Sequence, residues 1–223
     1  MAATALGHAA RLRAKLGLVV PVMVAAGDRL LHHPRVAELY PEYLVASHWV
    51  IRASVPLMEA ARERARAAAD DDAAASRLAS YLDAHVGEER GHDDWLLDDL
   101  AVLGVDRADV LARTPSPTVA ELVGAQYYWT LHHDPVAVLG YVAVLEGYPP
   151  SRELAEELIA RTGHPRKAFR TILAHAALDP GHRDDLDAVL DELPLTGGQQ
   201  ELVGLSALTT ARLLAAMLDD VVG

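Results

Sequence analysis

The sequence predicts an all-α protein, and three observations carry that reading. Alanine and leucine dominate a chain that is 51% hydrophobic and only 5% aromatic, and β-branched runs are scarce apart from a few valine pairs. Apolar residues recur at helical spacing along most of its length. Gly104, Pro117 and Pro135 fall at the ends of those stretches, where helices stop and start. With 223 residues, no internal repeat and no linker long enough to divide it, the chain reads as a single domain, 1–223.

Composition also excludes function classes. A formal net charge of −12 without a basic stripe argues against nucleic acid. The absence of cysteine excludes disulfides, thiolate metal sites and cysteine nucleophiles, and leaves the compartment open. Residues 1–8 lack a basic region followed by an apolar run, and no uninterrupted apolar stretch reaches about 18 residues. A cytoplasmic protein that does not engage a membrane is expected.

The first helical stretch, about Leu6 to His33, is broken near Pro21, so one kinked helix or two consecutive ones are expected. His32 and His33 close it as solvated residues. Pro41 opens a helix to about Ala69 that carries His48, Arg52 and Glu59 and is interrupted at Pro56. Asp70, Asp71 and Asp72 read as a solvated loop or an acidic helix start. From about Ala75 one helix is expected to run to Leu103 and to end at Gly104. Its His85, Glu89 and His92 sit at i, i+4 and i+7, with Leu82, Trp95, Leu96 and Leu100 near the same stripe. That polar face points inward, where it must be paired or metallated. Glu88, Asp93, Asp94, Asp98 and Asp99 read as the solvated side.

A short helix near Asp106 to Ala112 precedes Pro115-Ser116-Pro117, a turn that caps a helix over Thr118 to His132. His132-His133-Asp134 reads as a polar helix end. Pro135 starts an apolar helix in which Gly140 allows close packing and which closes on Glu146. A charge there needs a partner or a cation, unless it emerges into solvent at Gly147. Then follow an amphipathic helix over Ser151 to Arg161, a helix from Pro165 to Leu178 that delivers His175, another to Leu193, and a last from about Gln199 to Val222.

His175, Asp179 and His182 repeat the i, i+4, i+7 spacing and lie within roughly 60° of one another on a helix face. Pro180 opposes this, because Asp-Pro is also a good helix start, with His182 then in the first turn. A bent helix would still aim all three side chains at one point. In chain order the inward candidates are Glu59, Glu89, His92, Glu146, His175, Asp179 and His182, from at least four helices. Four carboxylates would neutralise two ferrous ions, and a carboxylate and imidazole set without thiolates suits non-haem iron or manganese in a bundle core.

The sequence here resembles the haem-oxygenase-like diiron oxidases, and specifically the iron-containing redox enzymes. The matching pieces are Glu59 in Val-Pro-Leu-Met-Glu, Glu89-Arg-Gly-His92, Glu146 closing an apolar helix, and His175-x₃-Asp179-x₂-His182, over about residues 40 to 185. The resemblance implies a haem-oxygenase-like bundle of about seven core helices that binds two Fe(II) ions and takes dioxygen as co-substrate. It implies N-oxygenation or oxidative C–C cleavage of a small amino-acid-like or fatty-acid-like substrate, often in natural-product biosynthesis. His48 and His85 are then additional or supporting ligand candidates. Tyr127, Tyr128, Trp129 and Tyr141 are pocket candidates, and Arg52, Arg166 and Arg170 candidates to hold a substrate carboxylate. A small-molecule substrate is the expected partner, with an external electron donor and a homodimer left open. The alternatives are a metal-free thiaminase-like enzyme, which the missing cysteine disfavours, and a non-enzymatic helical interaction protein.

Overall fold

Each periodic stretch folds as a helix, and eleven α-helices with no strand make up the described residues. The computed structural model of the chain describes residues 6–70 and 72–223. The expectations drawn for residues 1–5 and for Asp71 lie outside these. The helices are α1 (His8–Leu16), α2 (Val20–Leu31), α3 (Val36–Ala68), α4 (Ala73–Glu89), α5 (His92–Val102) and α6 (Arg107–Ala112). They continue as α7 (Pro117–His132), α8 (Val138–Leu145), α9 (Arg152–Thr162), α10 (Arg170–Glu192) and α11 (Gly197–Val222). One-turn 3₁₀ segments, Pro135–Ala137 and Arg166–Phe169, lead into α8 and α10. Side chains of Asp72, Asp106, Ser116, Ser151 and Thr196 accept first-turn amides, so the chain caps its own helix starts.

Several boundaries differ from the sequence expectation, each for a physical reason. Pro21 sits in the first turn of α2, where its missing N–H costs nothing, so the N-terminal stretch is two helices. The long α3 begins at Val36 and carries Pro41 and Pro56 within it. The helix expected over 75–103 is broken at Arg90 and Gly91. Arg90 is extended, and Gly91 has φ +89°, a left-handed conformation that glycine adopts without strain. Conversely, the break expected at Pro180 does not occur. A single helix, α10, runs through Asp179 and residue 180 to Glu192 and replaces the two short helices expected there. An interior proline costs a helix about 3 kcal/mol, and packing holds this one: α10 places Ile172 in one hydrophobic cluster and Leu186 and Leu190 in another.

Those two clusters organise the bundle. The larger joins α1, α3, α4, α7, α8 and α11, and the smaller joins parts of α2, α3, α5 and α9. The short α8 is buried almost all round. It approaches α11 so closely that a methyl group on Gly140 would collide with the Val203 carbonyl and the Ala207 amide. Helix α11 is long and apolar enough to cross a membrane by length and composition, yet 56% of that stretch is buried, as suits the central helix it packs as.

Candidate metal centre

Four segments drawn from both clusters meet at one point: the end of α4, the start of α5, the end of α8 and the middle of α10. Helix α4 supplies His85 and Glu89, one turn apart on its inner face. The turn at Gly91 then redirects the chain so that His92, the first residue of α5, faces Glu89, and its Nδ1–H donates to Glu89 Oε2 over 2.9 Å. Glu146 caps the C-terminus of α8 and is buried; it does not emerge into solvent. Helix α10 contributes His175, Asp179 and His182 on one stripe.

These side chains form two groups whose nitrogen and oxygen atoms lie within 4.8 Å of one another: His85, Glu146 and His182 in the first, and Glu89, His92 and His175 in the second. Within the first, His85 Nε2–H donates to Glu146 Oε1 over 2.9 Å. The groups are contiguous, because His182 Nδ1 lies 3.4 Å from Glu89 Oε1 and 3.6 Å from Glu146 Oε2. Asp179 Oδ1 is 4.0 Å from the same nitrogen, so the aspartate faces the junction between the groups.

The electrostatics are those of a site short of positive charge. Burial pushes the Asp179 carboxyl up to about 8, with the negative charges of Glu146 and Glu89 adding to the effect. Burial also raises Glu146, against the opposing hydrogen bond from His85. For Glu89 burial acts upward too, but the His92 hydrogen bond and nearby imidazoles outweigh it and hold the carboxyl low. Burial would lower His85, yet Glu146 and the other carboxylates leave it raised. His175 is lowered by burial. Its Nδ1–H donates to the Thr171 carbonyl over 2.9 Å, which fixes the tautomer and leaves the lone pair on Nε2.

A direct test of fit comes from the atoms left over. Glu89 Oε1, Glu146 Oε2, Asp179 Oδ1 and His182 Nδ1 are buried and have no hydrogen-bond partner. A buried polar atom without a partner costs roughly 1–3 kcal/mol, and these four converge on one point. Three carboxylates and four imidazoles, without sulfur, are a donor set suited to iron. The residues present fit the group.

Two expected residues lie elsewhere. Glu59 is not in the cluster: its side chain is 35% exposed and accepts a 2.7 Å hydrogen bond from Arg90. It follows buried Leu57 and Met58, so the α3 helical phase turns it outward. His48 is buried apart from the cluster, lowered by burial and by Arg52, with Asp93, Asp94 and Arg107 as its charged surroundings. His85, expected only as an extra, stands in the first group. Of the pocket candidates, Tyr141 lines a small cavity beside the cluster, while Tyr128 is exposed. Arg166 and Arg170 pair with Glu156 and Asp98 at the surface.

Asp99 was expected on the solvated side and is instead 1% exposed. Its carboxylate accepts the amides of Arg170 and Thr171 over 3.1 and 2.9 Å, so α5 caps the start of α10. Position 99 lies seven residues after His92 and shares its face, a spacing that could have found it. Trp95, one turn beyond His92, packs on the His92 ring with centroids 4.0 Å apart.

A helical bundle with a carboxylate and histidine cluster in its seam defines a class, and comparison with known proteins gives the family. The family model for iron-containing redox enzymes of haem-oxygenase type matches residues 46–215, and the chain belongs to that family. Comparison with curated proteins gave no match. Among solved structures, a domain of unknown function with a haem-oxygenase-like fold from Shewanella denitrificans is similar, with a TM-score of 0.74 at 21% identity over 96% of this chain and 88% of that one. TenA homologues from Pseudomonas syringae and Pyrococcus furiosus are similar too, with TM-scores of 0.65 and 0.63, each at 11% identity over 93% of this chain and 92% and 99% of theirs. These likenesses establish the haem-oxygenase-like fold.

Proposed function

We propose that the two groups hold two ferrous ions and that the protein is a dioxygen-using oxidase or oxygenase of a small amino-acid-like or fatty-acid-like substrate. One observation carries this reading: the four unpartnered buried atoms of Glu89, Glu146, Asp179 and His182 sit between two three-residue groups. When bound, iron supplies the redox chemistry that no side chain of this chain can. His85, Glu146 and His182 would hold one ion and Glu89, His92 and His175 the other, with Asp179 at the junction.

The protein's own part is positional and electrostatic. Thr171 orients His175, and Asp99 orients the helix that carries it. Asp179 holds a proton near neutral pH and would release it to a cation, so loading is coupled to proton release. The cavity beside Glu89, Glu146 and His175 measures about 30 Å³ and has Ile51, Met58 and Val142 among its apolar walls. That is room for one or two waters or one small gas molecule, so an organic substrate would enter by displacing side chains. With Glu59 outside, three carboxylates face two doubly charged ions, one negative charge fewer than the sequence suggested. The surplus positive charge favours an anionic substrate group, in keeping with an amino or fatty acid. The likeness to TenA homologues is one of fold and carries no argument for their chemistry.

Anaerobic titration with ferrous iron tests the proposal. Two ions per chain are expected, followed by a transient visible absorption on an oxygen pulse. Glu59→Gln should keep both ions, and His175→Ala should lose at least one. No uptake, or uptake indifferent to His175→Ala, overturns it.

A further inference from the structure

The chain pairs its cations thoroughly. Fifteen of its twenty arginine and lysine side chains lie within 4.0 Å of a carboxylate among the described residues. Of the five that do not, Arg11 and Lys15 share one cavity. It lies between α1, the end of α10 and the start of α11, away from the iron-binding groups, and has a volume of about 200 Å³.

Its chemistry is unlike the rest of this acidic surface. Arg11 is held by a neutral partner, since its Nη2 donates to Gln200 Oε1 over 3.1 Å and Gln200 in turn donates to the Leu195 carbonyl over 2.9 Å. The guanidinium is thus positioned without being neutralised. The Lys15 ammonium crosses α11 at Gly204, where a Cβ would lie 2.8 Å from its Nζ, so the glycine makes the space it occupies. His8 lines the same cavity, and its Nδ1 is buried without a partner. Glu201 is the one carboxylate in the lining, and it pairs with neither Arg11 nor Lys15 among the described residues. The rest of the lining includes the apolar side chains of Leu12, Leu190, Leu195 and Val203.

We infer that this cavity is a second ligand site, for a small organic anion with a phosphate or carboxylate head and a short apolar body. The head would lie between Arg11, Lys15 and His8, where charge-assisted hydrogen bonds are the strongest available. The body would lie against those apolar side chains. The inference is independent of the iron reading, because none of these residues belongs to the metal groups.

The test uses the metal-free full-length chain, so that an anion bound to iron cannot imitate the result. Hexyl phosphate, hexanoate and hexanol are titrated by calorimetry at low salt, with amide shifts of Gly197 and Gly204 followed by NMR. Saturable binding of one or both anions and none of hexanol is expected, with shifts at those glycines. The stronger of the two anions identifies the head group. Lys15→Ala and Arg11→Gln should each weaken binding about tenfold or more and leave the circular dichroism and iron uptake unchanged. Absence of binding by either anion at millimolar concentration overturns the inference. So does binding that neither substitution weakens, or that hexanol matches.

Discussion

Asp179 is a residue of the cluster whose protonation the fold shifts far from its ordinary range. Its folded value of about 8 lies above the ordinary 3.8, so the folded metal-free chain binds this proton more tightly than the unfolded chain does. The stability that this proton contributes is intact below about pH 4 and is lost as pH rises through about 8. Glu146 and His85, both raised, act in the same direction, while Glu89 and His175, both lowered, act against it. Thermal melts of the metal-free protein should therefore show a falling melting temperature from about pH 5 to about pH 8.5. Asp179→Asn should flatten that fall and add on the order of 1–3 kcal/mol at the alkaline end, one pKa unit being about 1.4 kcal/mol. An identical slope in both proteins would remove Asp179 as its source. At this scale the burial of Glu146 was readable because its charge closes an apolar stretch, whereas Glu89, flanked by Glu88 and Arg90, was readable only through its helical spacing from His85 and His92. It misled at Glu59, whose neighbours Leu57 and Met58 are core but whose own side chain is turned toward Arg90. At Asp99 the surrounding acids Asp93, Asp94 and Asp98 hid a spacing of seven from His92.

At the scale of elements, the centre depends on one break and one continuity that local signals state poorly. A glycine inside a helical pattern costs only about 1 kcal/mol, so periodicity runs through Gly91, and only its φ of +89° reveals the turn that aims His92 at Glu89. Asp-Pro reads equally well as a helix start, and the packing of Ile172, Leu186 and Leu190 decides for continuity. Gly91→Ala should cost about 1–2 kcal/mol for forcing a side chain into left-handed backbone. It should also weaken iron binding at the group containing His92 more than at the group containing His85. Chemical denaturation, together with iron titration monitored at two occupancies, measures both effects. Equal weakening at the two groups would contradict the role given to the turn. His85, by contrast, sits a true helical turn before Glu89, so its place on that stripe was legible, while its meeting with Glu146 and His182 was not.

Across the whole molecule, the fold class and most helix boundaries follow from composition, spacing and caps, because a helix bundle is built from contacts that local patterning already implies. The meeting of four segments is different, since no local rule says which faces meet. Metal should act on all four segments together. Iron in about thousandfold excess over its dissociation constant should stabilise the fold by about 4 kcal/mol. Amide exchange should slow in α4, α5, the end of α8 and α10 as one unit, and remain unchanged in α6, which carries none of the cluster. Protection confined to a single helix would show that the cluster does not close as described.

Each three-residue group takes one histidine from α10, His182 for the first and His175 for the second. Neither group exists in a chain that stops before that helix. During synthesis from the N-terminus, His85, Glu89, His92 and Glu146 therefore emerge as separate weak donors, and α10 completes both groups in one step. A nascent or truncated chain that lacks α10 therefore holds neither three-residue group, and the order of the sequence makes both appear together once that helix has joined the bundle.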